Sequence, residues 1–317
     1  MNNQLSHLPH GVSVLDAHYV QLGVASIYIV AQGNKVSIIE TGTANSVPYI
    51  LSALNELGFS PDDVSYIIPT HIHLDHAGGA GELMEQCPNA QLVIHPRGAQ
   101  HMINPARLEA GTMAVYGEEK YRALYGTLKA IPEHRVMIAD NDFKLDFNGR
   151  VFHFIDTPGH AYHHFCIYDE LSKGIFTGDT FGLVYKKLAS EQGDFIFATT
   201  TPVHFDPTAM RDSISKLLSF KPELMYLTHF GAIKPTADIT TQLLKSISAF
   251  VAIAESEKAN IEGRVERIER QIMQWLLKEL SLRSCTLSIA EQKKWLQTDS
   301  RLNAQGLEVW LQRQEKN

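Results

Sequence analysis

The chain has 317 residues, 44% hydrophobic and 20% charged, with 28 Lys+Arg against 35 Asp+Glu and a net charge of −7. That composition excludes fibrous and disordered classes, and it lacks the basic excess of a nucleic-acid binder. A chain this long buries about three-quarters of its unfolded surface, so a metal site in it reads as functional and not as a staple for folding.

Residues 11–42 read as three short strands, since Ser26-Ile-Tyr-Ile-Val and Lys35-Val-Ser-Ile-Ile are β-branched and aromatic between turns at Gln32-Gly-Asn and Gly42. The spacing of Ile50, Leu54 and Leu57 predicts a helix over 46–57, capped by Ser46 and stopped by Gly58. A buried strand follows from Val64 to Ile68, then a short helix over 79–86 and a strand from Gln91 to His95. Residues 98–128 are mostly helical, with expected breaks near Gly111 and Gly126. Phe143 to Asp156 is a hairpin, because Asn148-Gly149 supplies the positive φ angles of a type I′ turn between alternating apolar residues. Phe165–Tyr168 and Ile175–Thr177 read as a strand pair, 207–220 as a helix and Leu224 to Thr228 as a strand. After Gly231 the strand signal ends. Ile239, Leu243, Ile247, Val251 and Ala254 repeat at helical spacing, as do Val265, Ile268, Ile272 and Leu276, and Leu302 to Leu311 is helical too. The expected organisation is an α/β body over 1–235 and a helical segment over 236–317 packing onto it.

The chain carries 15 histidines, about twice an ordinary share. Histidine is the commonest metal ligand and a proton-transfer group, so the excess says where chemistry sits. Thr70-His71-Ile72-His73-Leu74-Asp75-His76-Ala77-Gly78-Gly79 follows a buried strand and precedes a helix. A loop there aims several ligands at one point, and H-x-H-x-D-H arises by chance in about two chains per thousand of this length. Further candidates end other predicted strands: His160 in Asp156-Thr-Pro-Gly-His, Asp179 in Thr177-Gly-Asp-Thr and His229 in Thr228-His-Phe-Gly. Each alone is weak. Together they give five imidazoles and two carboxylates at strand C-terminal ends. Such nitrogen and oxygen donors suit Zn, Fe, Mn or Co and disfavour Cu(I).

In these motifs and their order the sequence resembles the metallo-β-lactamase-fold hydrolase superfamily, over residues 71 to 229. The resemblance implies an αββα sandwich with a dinuclear metal centre at one edge. Carried over motif by motif, His71, His73 and His160 hold one divalent ion, Asp75, His76 and His229 hold a second, and Asp179 bridges them. The cofactors it implies are two divalent metal ions, zinc first, with iron or manganese as alternatives. The bridging aspartate and the absence of a signal-like start set the chain apart from true β-lactamases and towards the glyoxalase II-like and lactonase-like branches. Where lactonases tend to carry a tyrosine after the bridging aspartate this chain has Gly182, with Tyr185 as the nearest substitute. The strand-end Asp-Thr-Gly of the family is Glu40-Thr41-Gly42 here, and the longer acid alters the support of the ligands.

The function expected is hydrolysis of an ester, thioester or lactone-like small molecule, with Asp75 orienting the attacking water. A water held between two such ions has its pKa lowered to about 7. The rival is iron-dependent redox chemistry on the same ligands, of persulfide dioxygenase or O₂-binding diiron type. A vestigial, regulatory metal site is disfavoured because no ligand is missing. His163 and His164 divide evenly between substrate contact and packing. His204-Phe205-Asp206-Pro207 reads first as a helix start and second as a pocket loop. His95, His101, His134 and His153, with Trp275, Trp295 and Trp310, read as packing or surface residues. Cys87, Cys166 and Cys285 form no C-x-x-C pair and suit a reducing compartment. The start MNNQLSHLPHGVSV lacks a basic-then-apolar leader, and no apolar run reaches about 18 residues, so a cytoplasmic protein without membrane or nucleic-acid partners is expected. Homodimer formation is left open.

Overall fold

The strand at the centre of the motif-bearing region, Val64–Ile68, forms where the sequence places it, and the elements around it decide what that loop faces. In the computed structural model residues 5–200 and 203–315 are described, with Val115 and Tyr116 described in backbone only. Met1 to Gln4, part of the start searched for a leader, lie outside the described residues. The chain divides into two compact units, neither continuous in sequence. The first comprises Met1–Asp156, His163–Gly178 and Glu223–Ala232, and the second Thr157–Tyr162, Asp179–Pro222 and Ile233–Asn317.

The first unit holds two sheets. One runs in chain order through β1 (Leu5–His7), β2 (Val12–Asp16), β3 (Ser26–Gln32), β4 (Lys35–Ile39), β5 (Val64–Ile68), β6 (Gln91–Ile94) and β7 (Val136–Ile138). Strands β1 to β4 pair antiparallel and β4 to β7 parallel, so the C-terminal ends of β4 and β5 lie side by side. Strands β8 (Lys144–Phe147), β9 (Arg150–Asp156), β10 (Phe165–Asp169) and β11 (Gly174–Gly178) belong to the other sheet. The second unit contributes a two-stranded ribbon of β12 (Leu183–Val184) and β13 (Ile196–Phe197). Strands β14 (Leu224–Leu227) and β15 (Gly231–Ile233) complete the second sheet, whose order is β15-β14-β11-β10-β9-β8.

Alternation with period two decides how the sheets pack. Tyr28, Val30, Ile39 and Ile68 of one sheet and Phe147, Phe152, Phe154, Phe165, Ile167 and Phe176 of the other share one buried cluster. The opposite face of the first sheet is covered by helices. Ile27, Ile29, Val36 and Ile38 cluster with Ile50 and Leu54 of the helix Val47–Glu56 and with Leu83 and Met84 of Ala80–Gln86. Each such aliphatic side chain removed from water contributes about 1.5–3 kcal/mol. This is the expected α/β sandwich. The hairpin turn is also as read, with positive φ at Asn148 (51°) and Gly149 (80°).

Several local expectations are corrected. Gly111 does not break a helix: it lies inside Ala106–Tyr116, and the breaks fall at Asn104, at Gly117 with φ 79° and, as expected, at Gly126 with φ 73°. A glycine in a helix costs only about 1 kcal/mol, little enough for the helix to run through it. Ser46 does not cap its helix through the side chain; its Oγ donates to Ala17 O at 2.6 Å. One strand, β15, follows Gly231.

In the second unit the helix Ala237–Ser256 buries Ile239, Leu243, Ile247, Phe250 and Ala254. Phe250, not Val251, carries the stripe, since steps of four, four, three and four track 3.6 residues per turn. Phe250 meets Trp275 of Arg264–Leu282 edge-on, with centroids 5.6 Å apart. The long helix Ile289–Glu315 is tied in by Arg264, whose Nε donates to Glu308 at 2.6 Å and whose Nη1 donates to Glu315 at 2.9 Å. Trp295 lies 5.3 Å from Tyr185 and Trp310 lies 6.3 Å from Phe205, so all three tryptophans pack as expected. Among the described residues no helix is long and apolar enough to cross a membrane.

Candidate metal centre

Strand ends build the site. The chain leaves β5 through Pro69-Thr70 into His71 and His73, then makes the one-turn helix Leu74–Ala77 that carries Asp75 and His76. The next helix starts immediately because Gly79 has no side chain: a Cβ there would lie 2.7 Å from both Thr41 O and Thr43 O. His229 follows β14 by two residues. Ligands at the carboxyl ends of parallel strands are the general arrangement of α/β sites.

Within the first unit Asp75, His76 and His229 form one group whose ligand atoms lie within 4.8 Å of one another. Asp75 Oδ2 is 3.8 Å from His76 Nε2 and 3.5 Å from His229 Nε2. The far nitrogens are anchored. His76 Nδ1 donates to Glu40 Oε1 at 2.9 Å, and His229 Nδ1 donates to Val24 O at 2.7 Å. Those bonds assign the protons to Nδ1 and turn both Nε2 lone pairs towards Asp75, the arrangement by which carboxylates and carbonyls orient metal-ligating imidazoles.

Glu40 is the hub that residue patterns only half revealed. It is 1% exposed. Oε1 accepts from Thr70 Oγ1 at 2.6 Å, from His76 Nδ1 at 2.9 Å and from Thr228 Oγ1 at 2.9 Å, while Oε2 accepts from Thr70 N at 3.1 Å. One carboxylate therefore holds His76 directly and fixes the residues preceding His71 and His229. The single hydroxyl proton of Thr70 is spent on Glu40, so His71 Nδ1, 3.1 Å away, is the donor to Thr70 Oγ1. That leaves the His71 Nε2 lone pair 2.9 Å from His73 Nδ1. Glu40 itself sits at φ +66°, a conformation that costs a non-glycine residue about 1–3 kcal/mol and marks a site held by its surroundings. No Lys or Arg pairs with it among the described residues; its partners are two hydroxyls, a backbone amide and the His76 Nδ1–H. A donor set of neutral imidazoles and carboxylates around an uncompensated buried carboxylate fits a divalent cation.

Three further imidazoles of this unit, those of His95, His163 and His164, have contacts that can be named. His164 is fully buried with its ring 4.8 Å from that of His71, and Gly178 makes room, since a Cβ there would fall 2.5 Å from Thr70 Oγ1 and collide with His164. His163 lies 5.7 Å, ring to ring, from His73. His95, read as a packing or surface residue, is buried and caps the helix Pro96–Ile103, accepting from Arg97 N at 3.1 Å and pairing with Asp156.

In the second unit His160 Nε2 lies 3.3 Å from Asp179 Oδ2. The loop bearing His160 is held from below: Gly159 O accepts from Asp206 N at 2.8 Å, and Ser213 Oγ donates to Pro158 O at 2.7 Å. Asp206 caps the helix Pro207–Ser219 by accepting from Thr208 N and Ala209 N at 2.9 and 3.0 Å, so this segment is the helix start that was read first. Tyr185 is 3% exposed, and its hydroxyl donates to Asp299 at 2.9 Å.

The model of the metallo-beta-lactamase superfamily matches residues 20–229. The chain belongs to that superfamily. Among curated proteins it is 26% identical over 216 residues to the metallo-beta-lactamase fold-containing protein ST1585 of Sulfurisphaera tokodaii, covering 67% of this chain and 75% of that one. The crystal structure of ST1585 superposes with a TM-score of 0.65 at 22% identity, over 95% of this chain and 99% of the other. Hydroxyacylglutathione hydrolase of Pelagibacter ubique is 29% identical over 119 residues, 37% of this chain and 36% of the hydrolase. Further curated relatives are likewise matched over less than two-thirds of their own length. A peroxy diiron chemotaxis sensor shares the fold at a TM-score of 0.55 and 13% identity, covering 77% of this chain and 93% of the sensor. Members of the superfamily are mostly metal-dependent enzymes, and the His/Asp group described above is the feature of that kind in this chain.

Proposed function

We propose that the protein is a dinuclear metallo-hydrolase acting on an ester, thioester or lactone-like small molecule. The observation that carries this reading is the anchoring of His76 and His229 through their Nδ1 atoms, which leaves both Nε2 atoms facing Asp75 before any ion binds. In this reading Asp75, His76 and His229 hold one ion, and by the motif resemblance alone His71, His73 and His160 hold the other, with Asp179 shared. A bound pair of divalent ions, zinc in the first instance, would acidify water and polarise a carbonyl.

The chain's own residues do the rest. Asp75 orients the attacking water and takes its proton on a carboxylate oxygen. Glu40 keeps His76 in one tautomer. No side chain of the motifs is free to act as nucleophile: the Thr70 and Thr228 hydroxyls donate to Glu40, and Thr177 Oγ1 donates to backbone carbonyls. The attacking group is therefore water, no acyl-enzyme accumulates and no burst is expected.

The test is elemental analysis of metal-reconstituted protein with a pH–rate series on thioesters, lactones and phosphodiesters. Two ions per chain and a rate rising through a single ionisation near pH about 7 are expected. Never more than one ion rejects the dinuclear reading, and hydrolysis indifferent to chelation rejects the mechanism. The iron redox alternative is supported by the donor set alone, which suits iron as well as zinc. Oxygen uptake with a persulfide confined to iron-loaded protein, without hydrolysis by any form, would replace the hydrolase reading.

A further inference from the structure

The loop that carries His160 also carries an exposed aromatic side chain two residues later. Tyr162 is 41% exposed. Its ring lies 4.5 Å from that of His204, at an interplanar angle of 33°. Arg313, near the end of the helix Ile289–Glu315, reaches the same place from 151 positions away: its Nη1 lies 3.4 Å from Tyr162 Oη, and its Nη2 donates to Phe205 O. The helix is fixed there by Trp310 against Phe205.

Arg313 is half-buried and has no carboxylate partner among the described residues. The carboxylates near it in sequence and space are committed elsewhere. Glu308 and Glu315 accept from Arg264, and Asp206 caps its own helix. Arg313 Nε is buried with no hydrogen-bond partner among the described residues. A guanidinium offers five donors in a planar fork matched to carboxylate or phosphate. Here that fork is only partly used, and it stands beside a phenol and an imidazole, both polar groups able to donate to an anion.

We propose that Tyr162, His204 and Arg313 form a recognition lip for an anionic group, carboxylate or phosphate, on the part of the substrate remote from the scissile bond. This rests on the hydrolase reading for its meaning, because the lip adjoins the His160 loop. The binding itself does not depend on that reading, which keeps the two failures distinguishable.

The experiment uses the full-length, metal-reconstituted protein and hydrolysis-resistant thioethers of N-acetylcysteamine bearing a butyl chain, a carboxypropyl chain or a terminal phosphate ester. Calorimetry should show the anionic probes binding about tenfold tighter than the butyl probe, a difference of about 1.4 kcal/mol. Arg313→Gln should abolish that preference while leaving butyl binding, metal content and melting temperature unchanged. Arg313→Lys should restore part of it, and His204→Ala should reduce it. On the matching thioesters Arg313→Gln should raise KM for the anionic substrates with kcat nearly unchanged. The stronger of the two anionic probes identifies the group recognised. Equal affinity for all three probes, or an equal loss for all three in Arg313→Gln, overturns the proposal. An Arg313-dependent anionic preference without turnover of any thioester sustains the lip and removes the hydrolase reading instead.

Discussion

Buried charge is handled in two ways, and the first unit shows both, since Arg150 there pairs with Asp169 with neither side chain exposed. In the second unit Arg264 is 2% exposed and is neutralised by Glu308 and Glu315. In the first unit Glu40 is as deeply buried, yet its partners are hydroxyls, a backbone amide and one imidazole. A buried ion pair closes on itself and serves to fix helices. A buried carboxylate held only by neutral donors has no cation of its own, and the one imidazole it holds is that of His76. The contrast teaches that burial of charge does not mark a site by itself; the unspent charge does.

The largest effect expected is loss of a ligand. Asp75→Asn and His229→Ala should each lower occupancy of the second ion and cost more turnover than the roughly 10–100-fold typical of losing a supporting residue. Metal titration with kinetics at saturating metal checks this, and unchanged occupancy in both variants would break the assignment. Next comes Glu40→Gln, which keeps an acceptor for Thr70 but removes the charge. Metal affinity should fall about 10–100-fold with the fold intact. A drop in stability with no change in affinity would make Glu40 as structural as Arg264 and erase the contrast.

Phe250→Ala should destabilise by about 3–5 kcal/mol, because it empties the contact with Trp275, and calorimetric unfolding should show this without a change in intrinsic metal affinity. The smallest effect concerns pH. Arg264 holds the Glu308 carboxyl below its ordinary value of 4.5, through its hydrogen bonds first. A carboxyl lowered in the folded state contributes stability above its unfolded value, and that contribution is lost as pH falls through the folded one. Arg264→Met should therefore cost about 1–3 kcal/mol at pH 7, with the gap to wild type closing below pH 4.5. A gap independent of pH would mean that packing of the arginine stem, not the pair, holds the helices.

Much of the fold was legible along the chain, and so was the grouping of candidate residues after β5. His71, His73, Asp75 and His76 fall within six residues, and a strand pattern before them with glycines behind is a local signal. Period-two and 3.6-residue spacing exposed the hairpin at Asn148-Gly149 and the stripe through Leu243 and Ile247 for the same reason: each depends only on neighbours in sequence. The errors arose where a local signal met a tertiary counterweight. Gly111 is a helix breaker in isolation and a tolerated helix residue in this fold, and Ser46 gives its hydroxyl to Ala17 O, 29 positions away, and not to its helix.

The sequence by itself determined the candidate ligand types, their order and the strands that present them, because these are properties of contiguous segments. Only tertiary structure decided which nitrogen of His76 and His229 faces Asp75. That choice is made by Glu40 and by Val24 O, 36 and 205 positions away. It likewise decided that Arg313 meets Tyr162 across 151 positions. Hydrogen-bond partners so remote in sequence leave no periodicity or spacing to read. Chain connectivity says nothing about them until the sheets and helices bury their apolar faces and bring those atoms within reach.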